Sequence, residues 1–241
     1  PLVDHPLRHH DAFLLGLATL QRGQAVVLER SARHLIEHLP DYQPGVMLVH
    51  STYLEDKGKA LCAILERQPE VLHKLEEGVT EQDRTFSLLK ALNIVGKQAA
   101  LRTLYDPLRR ELGRNLHTIY KVGPSLSEGV AELFEKLDIE VLSIHGYAEA
   151  MITHMERPGA TRRGAVGRPV LGVSARIEGS TSESDTGQLL IQSDVMMRGY
   201  WDESGPLTVS EDGWLGTNDQ ARIESGYLFL APFQPSRDEP S

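Results

Sequence analysis

Gly213-Trp214-Leu215-Gly216-Thr217-Asn218-Asp219-Gln220-Ala221-Arg222-Ile223-Glu224-Ser225-Gly226-Tyr227-Leu228-Phe229-Leu230 is the stretch whose reading decides the fold. Short apolar runs alternate there with Gly and small polar residues. The pattern predicts strands at 212–215, 220–223 and 227–230 separated by tight turns. Asp219 falls at the first junction, just after Thr217-Asn218. A carboxylate on a strand end can accept two hydrogen bonds from a vicinal diol such as a ribose. It can equally cap its own turn, which is the commoner use of Asp at such a place.

Working outward, the 241 residues allow one large domain or two smaller ones. A hydrophobic content of 40% against 24% charged residues supports a packed core and argues against global disorder. The net charge of -9, with no long Lys/Arg face, argues against a nucleic-acid partner. Cys62 is the single cysteine, so no intrachain disulfide forms, and a cytoplasmic setting is expected. No apolar run reaches the length of a membrane span, and no signal peptide is visible.

Before residue 157 the chain alternates helix and strand. Phe13, Leu14, Leu17, Ala18 and Leu20 predict one apolar face of a helix over 6–22, stopped by Gly23. Residues 25–28 and 46–49 read as buried strands. Ser31 is placed to cap a helix that ends near Leu39, before Pro40. Short connections point to parallel strands with helical crossovers. Residues 52–113 form a helical excursion. Strand character returns over 116–122, a helix capped by Ser127 runs to Leu137, and residues 139–144 form a strand that feeds a loop, His145–Glu149. In a doubly wound sheet such a loop lines the ligand crevice.

After Glu156, Pro, Gly, Ser and Thr become frequent and helical periodicity is lost. Residues 170–177 and 188–192 join the strands already named, and 179–186 form a hairpin loop. The expected organisation is an α/β part over 1–157, a small β part over 158–230 and a tail over 231–241.

Glu149, four residues after His145 with Gly146 between, could hold Mg²⁺ or be a solvated turn residue. His34 and His38 have metal-ligand spacing but no acidic or Cys companion, so a solvated helix face is the better reading, as for His5, His9 and His10. Cys62 lies on an apolar stripe and reads as core. Arg157, Arg162, Arg163 and Arg168 form a local basic cluster, by default a solvated loop. Neither a Gly-x-Ser-x-Gly elbow nor a P-loop occurs.

Taken in order, these stretches resemble the adenylate-forming, AMP-binding superfamily, and within it the long-chain acyl-CoA synthetases. Pro1-Leu2-Val3-Asp4-His5 is similar to that family's Pro-Leu-x-His turn, and residues 43–49 to the segment before its Pro-Arg turn. Val122-Gly123-Pro124-Ser125-Leu126 stands where the family has its Gly-Gly-Ala-Pro-Leu adenine loop. His145-Gly146-Tyr147-Ala148-Glu149 stands for Tyr-Gly-x-Thr-Glu. Residues 164–173 and 195–201 resemble Gly-Ser-Val-Gly-x-Pro-x-Pro-Gly-Val and Val-Met-x-Gly-Tyr-Trp. The opening stretch resembles Gly-Trp-Leu-x-Thr-Gly-Asp followed by Gly-Tyr-Leu.

The resemblance implies a partial acyl-CoA synthetase N-terminal domain, a parallel sheet with packed helices followed by a small β-barrel-like subdomain. It implies ATP or AMP and Mg²⁺ as ligands, with coenzyme A only if the chain is active. Asp219 would hold the ribose hydroxyls and Glu149 the Mg²⁺. Gly123, Pro124, His145, Gly146, Tyr147 and Arg222 would complete the nucleotide site. The family joins a carboxylate to ATP, releases pyrophosphate and passes the acyl group to coenzyme A, which requires Mg²⁺ and basic groups to screen the attack on phosphate.

Departures from the pattern set the functional expectation. The phosphate loop, the Gly-Arg-x-x-Asp hinge and the catalytic lysine have no counterpart, Ala148 replaces a phosphate-contacting Thr, and Asn218 replaces the Gly of Thr-Gly-Asp. Asn tolerates positive φ, so that turn is expected to survive. The expectation is a shortened fatty acid–CoA ligase-like chain, unable to complete adenylation alone but retaining nucleotide or acyl binding. A ligase part completed by another chain and a non-catalytic interaction module are the alternatives. Apolar surface left bare is expected to be covered in a homo-oligomer or by a partner chain.

Overall fold

The computed structural model describes residues 2–3, 9–28, 38–66, 105–179, 182, 185–202, 205–207 and 212–231. The chain divides into two compact units, 1–5 with 19–141, and 6–18 with 142–241.

In the first unit the strands β1 (Leu2–Val3), β2 (Val27–Leu28), β3 (Val46–His50) and β4 (Thr118–Val122) lie parallel in the order β2-β1-β3-β4. Met47, Leu48 and Val49 of β3 are all buried, which is why this strand reads as an unbroken apolar run rather than an alternating one. The helices Ser51–Glu66 and Glu128–Lys136 pack on each other at Gly58. A Cβ on Gly58 would lie 2.4 Å from Val130 Cγ1, so only glycine lets the two backbones approach this closely. One core joins Met47, Val49, Leu54, Leu61, Ile119 and Phe134, with Cys62 packed against it, as its place on the apolar stripe predicted.

Local expectations are adjusted in three places. Helical structure continues through Tyr42 rather than stopping before Pro40. Proline lacks only a donor, and the Gln43 amide still reaches the Leu39 carbonyl at 3.1 Å before Gln43, at φ 45°, ends the helix. Ser127 occupies the expected N-cap, but its hydroxyl and amide both donate to Glu55, at 2.6 and 3.0 Å, instead of its hydroxyl capping the helix. Those two bonds, the hydroxyl's first, hold the Glu55 carboxyl below the usual range. The helix His10–Gln21 buries Ala12, Asp11 and Thr19, whereas Phe13, Leu17 and Leu20 of the predicted apolar face are exposed. Ser31, His5, His34, residues 67–104 of the excursion and the tail from 232 lie outside the described residues.

β5 (Glu140–Tyr147) spans the division. In the second unit it pairs antiparallel with β6 (Met151–Met155), and β6 with β7 (Arg168–Pro169). The expected ligand loop His145–Glu149 is thus mostly strand. β5 runs on through Tyr147, and a three-residue turn at 148–150, closed by Met151 at φ 61°, reverses the chain. β6 went unpredicted: its residues do not alternate in character, and the two it buries, Thr153 and His154, are adjacent and polar.

β8 (Val173–Ile177), β9 (Gly187–Ser193), β12 (Leu215–Glu224) and β13 (Tyr227–Leu230) form a second antiparallel sheet, in the order β13-β12-β9-β8. β10 (Tyr200–Asp202) and β11 (Gly205–Leu207) make a separate pair. β8 starts later than its sequence suggests, because Val170-Leu171-Gly172 turns on Gly172 at φ 80°. The strands predicted at 212–215 and 220–223 are largely one strand, β12, interrupted by a bulge rather than a turn. Asn218 is not among the described positive-φ residues. A second core gathers Leu189, Ile191, Leu215, Ala221 and Leu228. The expected class, a parallel sheet with packed helices followed by antiparallel β-structure, is the one observed.

Candidate functional site

The bulge in β12 places Asp219. Gly216 pairs with Leu190 of β9 and Gln220 with Gln188, so four steps along β12 pass against two along β9. Because the surplus is even, the inward and outward faces are kept: Leu215, Thr217 and Ala221 are buried, while Gly216, Asn218 and Gln220 are exposed. Buried Thr217 secures the bulge. Its hydroxyl donates to the Leu189 carbonyl at 2.9 Å and accepts from the Asp219 amide at 3.2 Å. Gln188 Nε2 donates to the Thr217 carbonyl at 2.8 Å.

Asp219 thereby meets the end of β5. The Tyr147 hydroxyl donates to Asp219 Oδ2 at 2.5 Å. A carboxylate only accepts, so the single phenol proton goes to Asp219. His145 Nε2, 3.0 Å from the phenol oxygen, then carries the proton it donates to Tyr147. The two rings meet edge to face at 4.9 Å. Burial, then the bond to Asp219, pushes the Tyr147 hydroxyl far above the usual tyrosine range, so it remains a donor at any physiological pH. Asp219 is left with Oδ2 anchored and, among the described residues, no hydrogen bond on Oδ1; its side chain is 38% exposed.

Glu149, in the turn after β5, is held by Tyr200, whose hydroxyl donates to Oε1 at 2.5 Å, and by the Met197 amide, which donates to the Glu149 carbonyl at 2.7 Å. The bond to Glu149 raises the Tyr200 hydroxyl above its ordinary value. No group of three metal-ligating side chains is assembled among the described residues. One oxygen-donor carboxylate nonetheless fits Mg²⁺, which is commonly held by one or two carboxylates, water and substrate phosphates.

Gly146 cannot carry a side chain, since a Cβ there would lie 2.2 Å from the Met151 carbonyl oxygen. Arg222 is not part of this group: it lies on the outward face of β12, bonded to Glu224 at 2.8 Å. Gly123 and Pro124 belong to the first unit. Gly123 has φ 94° and packs against His50 and Ser51, and the Pro124 carbonyl accepts from Lys121 Nζ at 3.3 Å. Tyr200 and Thr217 were missed from sequence, Tyr200 because its partner lies 51 residues away.

Solved structures share this architecture. O-succinylbenzoate coenzyme A synthetase MenE from Bacillus subtilis, determined in complex with AMP and in complex with ATP and magnesium ion, superposes with a TM-score of 0.61. The identity is 16%, over 95% of this chain and 40% of that one, which shows the fold. The chain belongs to the AMP-binding enzyme family, which it matches over residues 4–201. His145 and Glu149 fall inside that span, and Asp219 and Arg222 follow it. The long-chain-fatty-acid–CoA ligase FadD15 of Mycobacterium bovis is 28% identical over 132 residues, 54% of this chain and 21% of the ligase. The malonate–CoA ligase of Arabidopsis thaliana is 31% identical over 96 residues, 37% of this chain and 16% of that protein. The chain thus spans about a fifth or less of the length of these relatives.

Proposed function

We propose that these residues bind an adenine nucleotide or acyl-adenylate and do not by themselves complete acyl adenylation. The observation that carries the reading is the Tyr147–Asp219 bond, which anchors one carboxylate oxygen and leaves the other for a ribose diol. Membership of the AMP-binding family supports it. Glu149 would take Mg²⁺, which supplies charge neutralisation at the phosphates when bound. His145, Gly146 and Tyr147 would line the nucleotide site, and the division of the chain at residue 157 belongs to the same proposal. Ala148 offers no hydroxyl to a phosphate, and the lysine and phosphate loop of the family pattern are not among these residues.

Calorimetric titration with AMP tests this. Asp219→Ala should weaken binding by about tenfold or more, the worth of charge-assisted hydrogen bonds to the diol. ATP–pyrophosphate exchange with fatty acids should stay at background. Exchange well above background that Glu149→Ala abolishes would overturn the non-catalytic part, and AMP affinity untouched by Asp219→Ala would overturn the binding part.

The alternative, a ligase part completed by another chain, draws on the retention of both Asp219 and Glu149. It predicts exchange that appears only with a co-purifying polypeptide, and coenzyme A would then be a substrate. Self-association belongs to the proposal too, supported by the exposed stripe Phe13, Leu17 and Leu20. Light scattering should show a dimer, and a monomer at high concentration would count against it. Among the described residues no helix is long and apolar enough to cross a membrane. A cytoplasmic setting is proposed from the single cysteine.

A further inference from the structure

The turn after β5 is clasped by the segment that follows β9. The Ser193 hydroxyl donates to the Ala150 carbonyl at 3.4 Å and accepts from the Val195 amide at 3.3 Å. The Met197 amide donates to the Glu149 carbonyl. These bonds fix the backbone of residues 149 and 150, and Ala150 is fully buried. The Glu149 side chain is held separately, by the Tyr200 hydroxyl on Oε1 at 2.5 Å. Among the described residues Oε2 accepts no hydrogen bond and no Lys or Arg pairs with the carboxylate. Tyr200 itself is 52% exposed, so burial of its ring does not account for its place.

Tyr147 does the same for Asp219, donating to one carboxylate oxygen at 2.5 Å. Glu149 lies near enough to Tyr147 for its charge to help hold that hydroxyl protonated. We propose that Tyr200 is a positioning residue for a divalent cation at Glu149: it fixes Oε1, and with it the plane of the carboxylate, so that Oε2 is presented to the metal. The inference rests on the reading of Glu149 as the Mg²⁺ ligand of a nucleotide site. Three side-chain torsions must be ordered before a glutamate can serve a cation, and a bond already made to Oε1 removes much of that cost. Ligating carboxylates are commonly held by such outer hydrogen bonds, whose loss costs roughly 10–100-fold in metal affinity. A phenol suits the task because it is neutral. It leaves the carboxylate charge in place, whereas a Lys or Arg there would offset the charge and compete with the cation.

Calorimetric titration of the whole chain with ATP at a series of Mg²⁺ concentrations, and with AMP in the absence of Mg²⁺, tests the proposal. Mg²⁺ should tighten ATP binding in the parent. Tyr200→Phe should raise the Mg²⁺ concentration needed for half of that gain about tenfold or more. It should leave metal-free AMP affinity and the urea midpoint at the parent values, since an exposed hydroxyl is lost and the ring is kept. Adding Tyr200→Phe to Glu149→Gln should change the Mg²⁺ response no further, because the two side chains act as one unit. AMP binding with a Mg²⁺ response that is absent, or that Tyr200→Phe does not shift, overturns the role of Tyr200 while the nucleotide reading stands. No AMP binding by the parent overturns both. Additive effects of the two substitutions, or a Mg²⁺ response lost together with the urea midpoint, would make Tyr200 independent of Glu149 or a structural prop, and either result overturns the assignment.

Discussion

Gly167→Ala should destabilise the protein by on the order of 3–5 kcal/mol, from strain at a backbone angle foreign to L-residues plus overpacking. Gly167 sits at φ +104°, and a Cβ there would lie 2.1 Å from the Met155 carbonyl carbon and 2.4 Å from the Glu156 nitrogen. Both atoms are backbone, so no side-chain rotation relieves the clash. The crowding has a structural cause. The Leu228 amide donates to the Gly167 carbonyl at 3.0 Å and the Val166 amide to the Leu228 carbonyl at 2.9 Å. Meanwhile the Glu156 amide donates to the Ser143 carbonyl. Gly167 is thus wedged between segments each fixed by its own hydrogen bonds. Such a loss is a large share of a typical stability of about 5–15 kcal/mol. Gly164→Ala is the control. Gly164 also has positive φ, at +81°, but nothing lies within 4 Å of its added Cβ, so only about 1–2 kcal/mol of backbone strain is expected. Urea unfolding of both variants measures the difference, and equal midpoints would refute the wedge.

The second large effect is acid sensitivity centred on His154. This residue is fully buried, its Nδ1 lies 3.1 Å from Thr153 Oγ1, and its Nε2 has no hydrogen-bond partner among the described residues. Burial first, and then the neighbouring His145 across the β5–β6 pair, push the imidazole down to about 3. The folded state therefore binds fewer protons than the unfolded chain, in which a histidine titrates near 6.5. Where the unfolded state holds more protons, stability rises with pH. The contribution is present above about pH 6.5 and is lost progressively as pH falls toward about 3, reaching on the order of 4 kcal/mol across the full interval. Between pH 7.5 and 5 the parent should lose about 2 kcal/mol through this one group. His154→Leu should flatten that part of the stability–pH curve, whatever its effect at neutral pH. Urea midpoints at a series of pH values decide it, and parallel curves for parent and variant would remove His154 as the cause.

Several elements were legible from local pattern alone. Val46 to Val49 is a continuous apolar run, and that is what a central parallel strand buried on both faces requires. Tyr227–Leu230 was read with its observed bounds, because Gly226 marks its start. The helix after Ser127 follows from Val130, Leu133, Phe134 and Leu137 at helical spacing. Reading failed where the deciding partner is distant. Phe13, Leu17 and Leu20 form an apolar stripe by spacing, yet burial falls on Ala12 and Thr19, because tertiary packing overrides the pattern of one helix. The end of β5 was read as a loop, since His145, Gly146 and Tyr147 lack the apolar signature of a strand.

The candidate site divides in the same way. By itself the sequence determined which residue types are present and in what order, and that was enough for family membership and for the nomination of Asp219 and Glu149. It could not say which carboxylate oxygen is anchored, nor that Arg222 faces away. Tyr147 and Asp219 are 72 residues apart, and they meet only because β12 carries its bulge between Gly216 and Gln220. Side chains alternate faces along a strand, so one extra residue there would have turned Asp219 outward, and two keep it inward. That parity is a property of the pairing between β9 and β12. It is decided when the sheet assembles, by Thr217 and Gln188 closing the bulge, and local sequence contains no record of it.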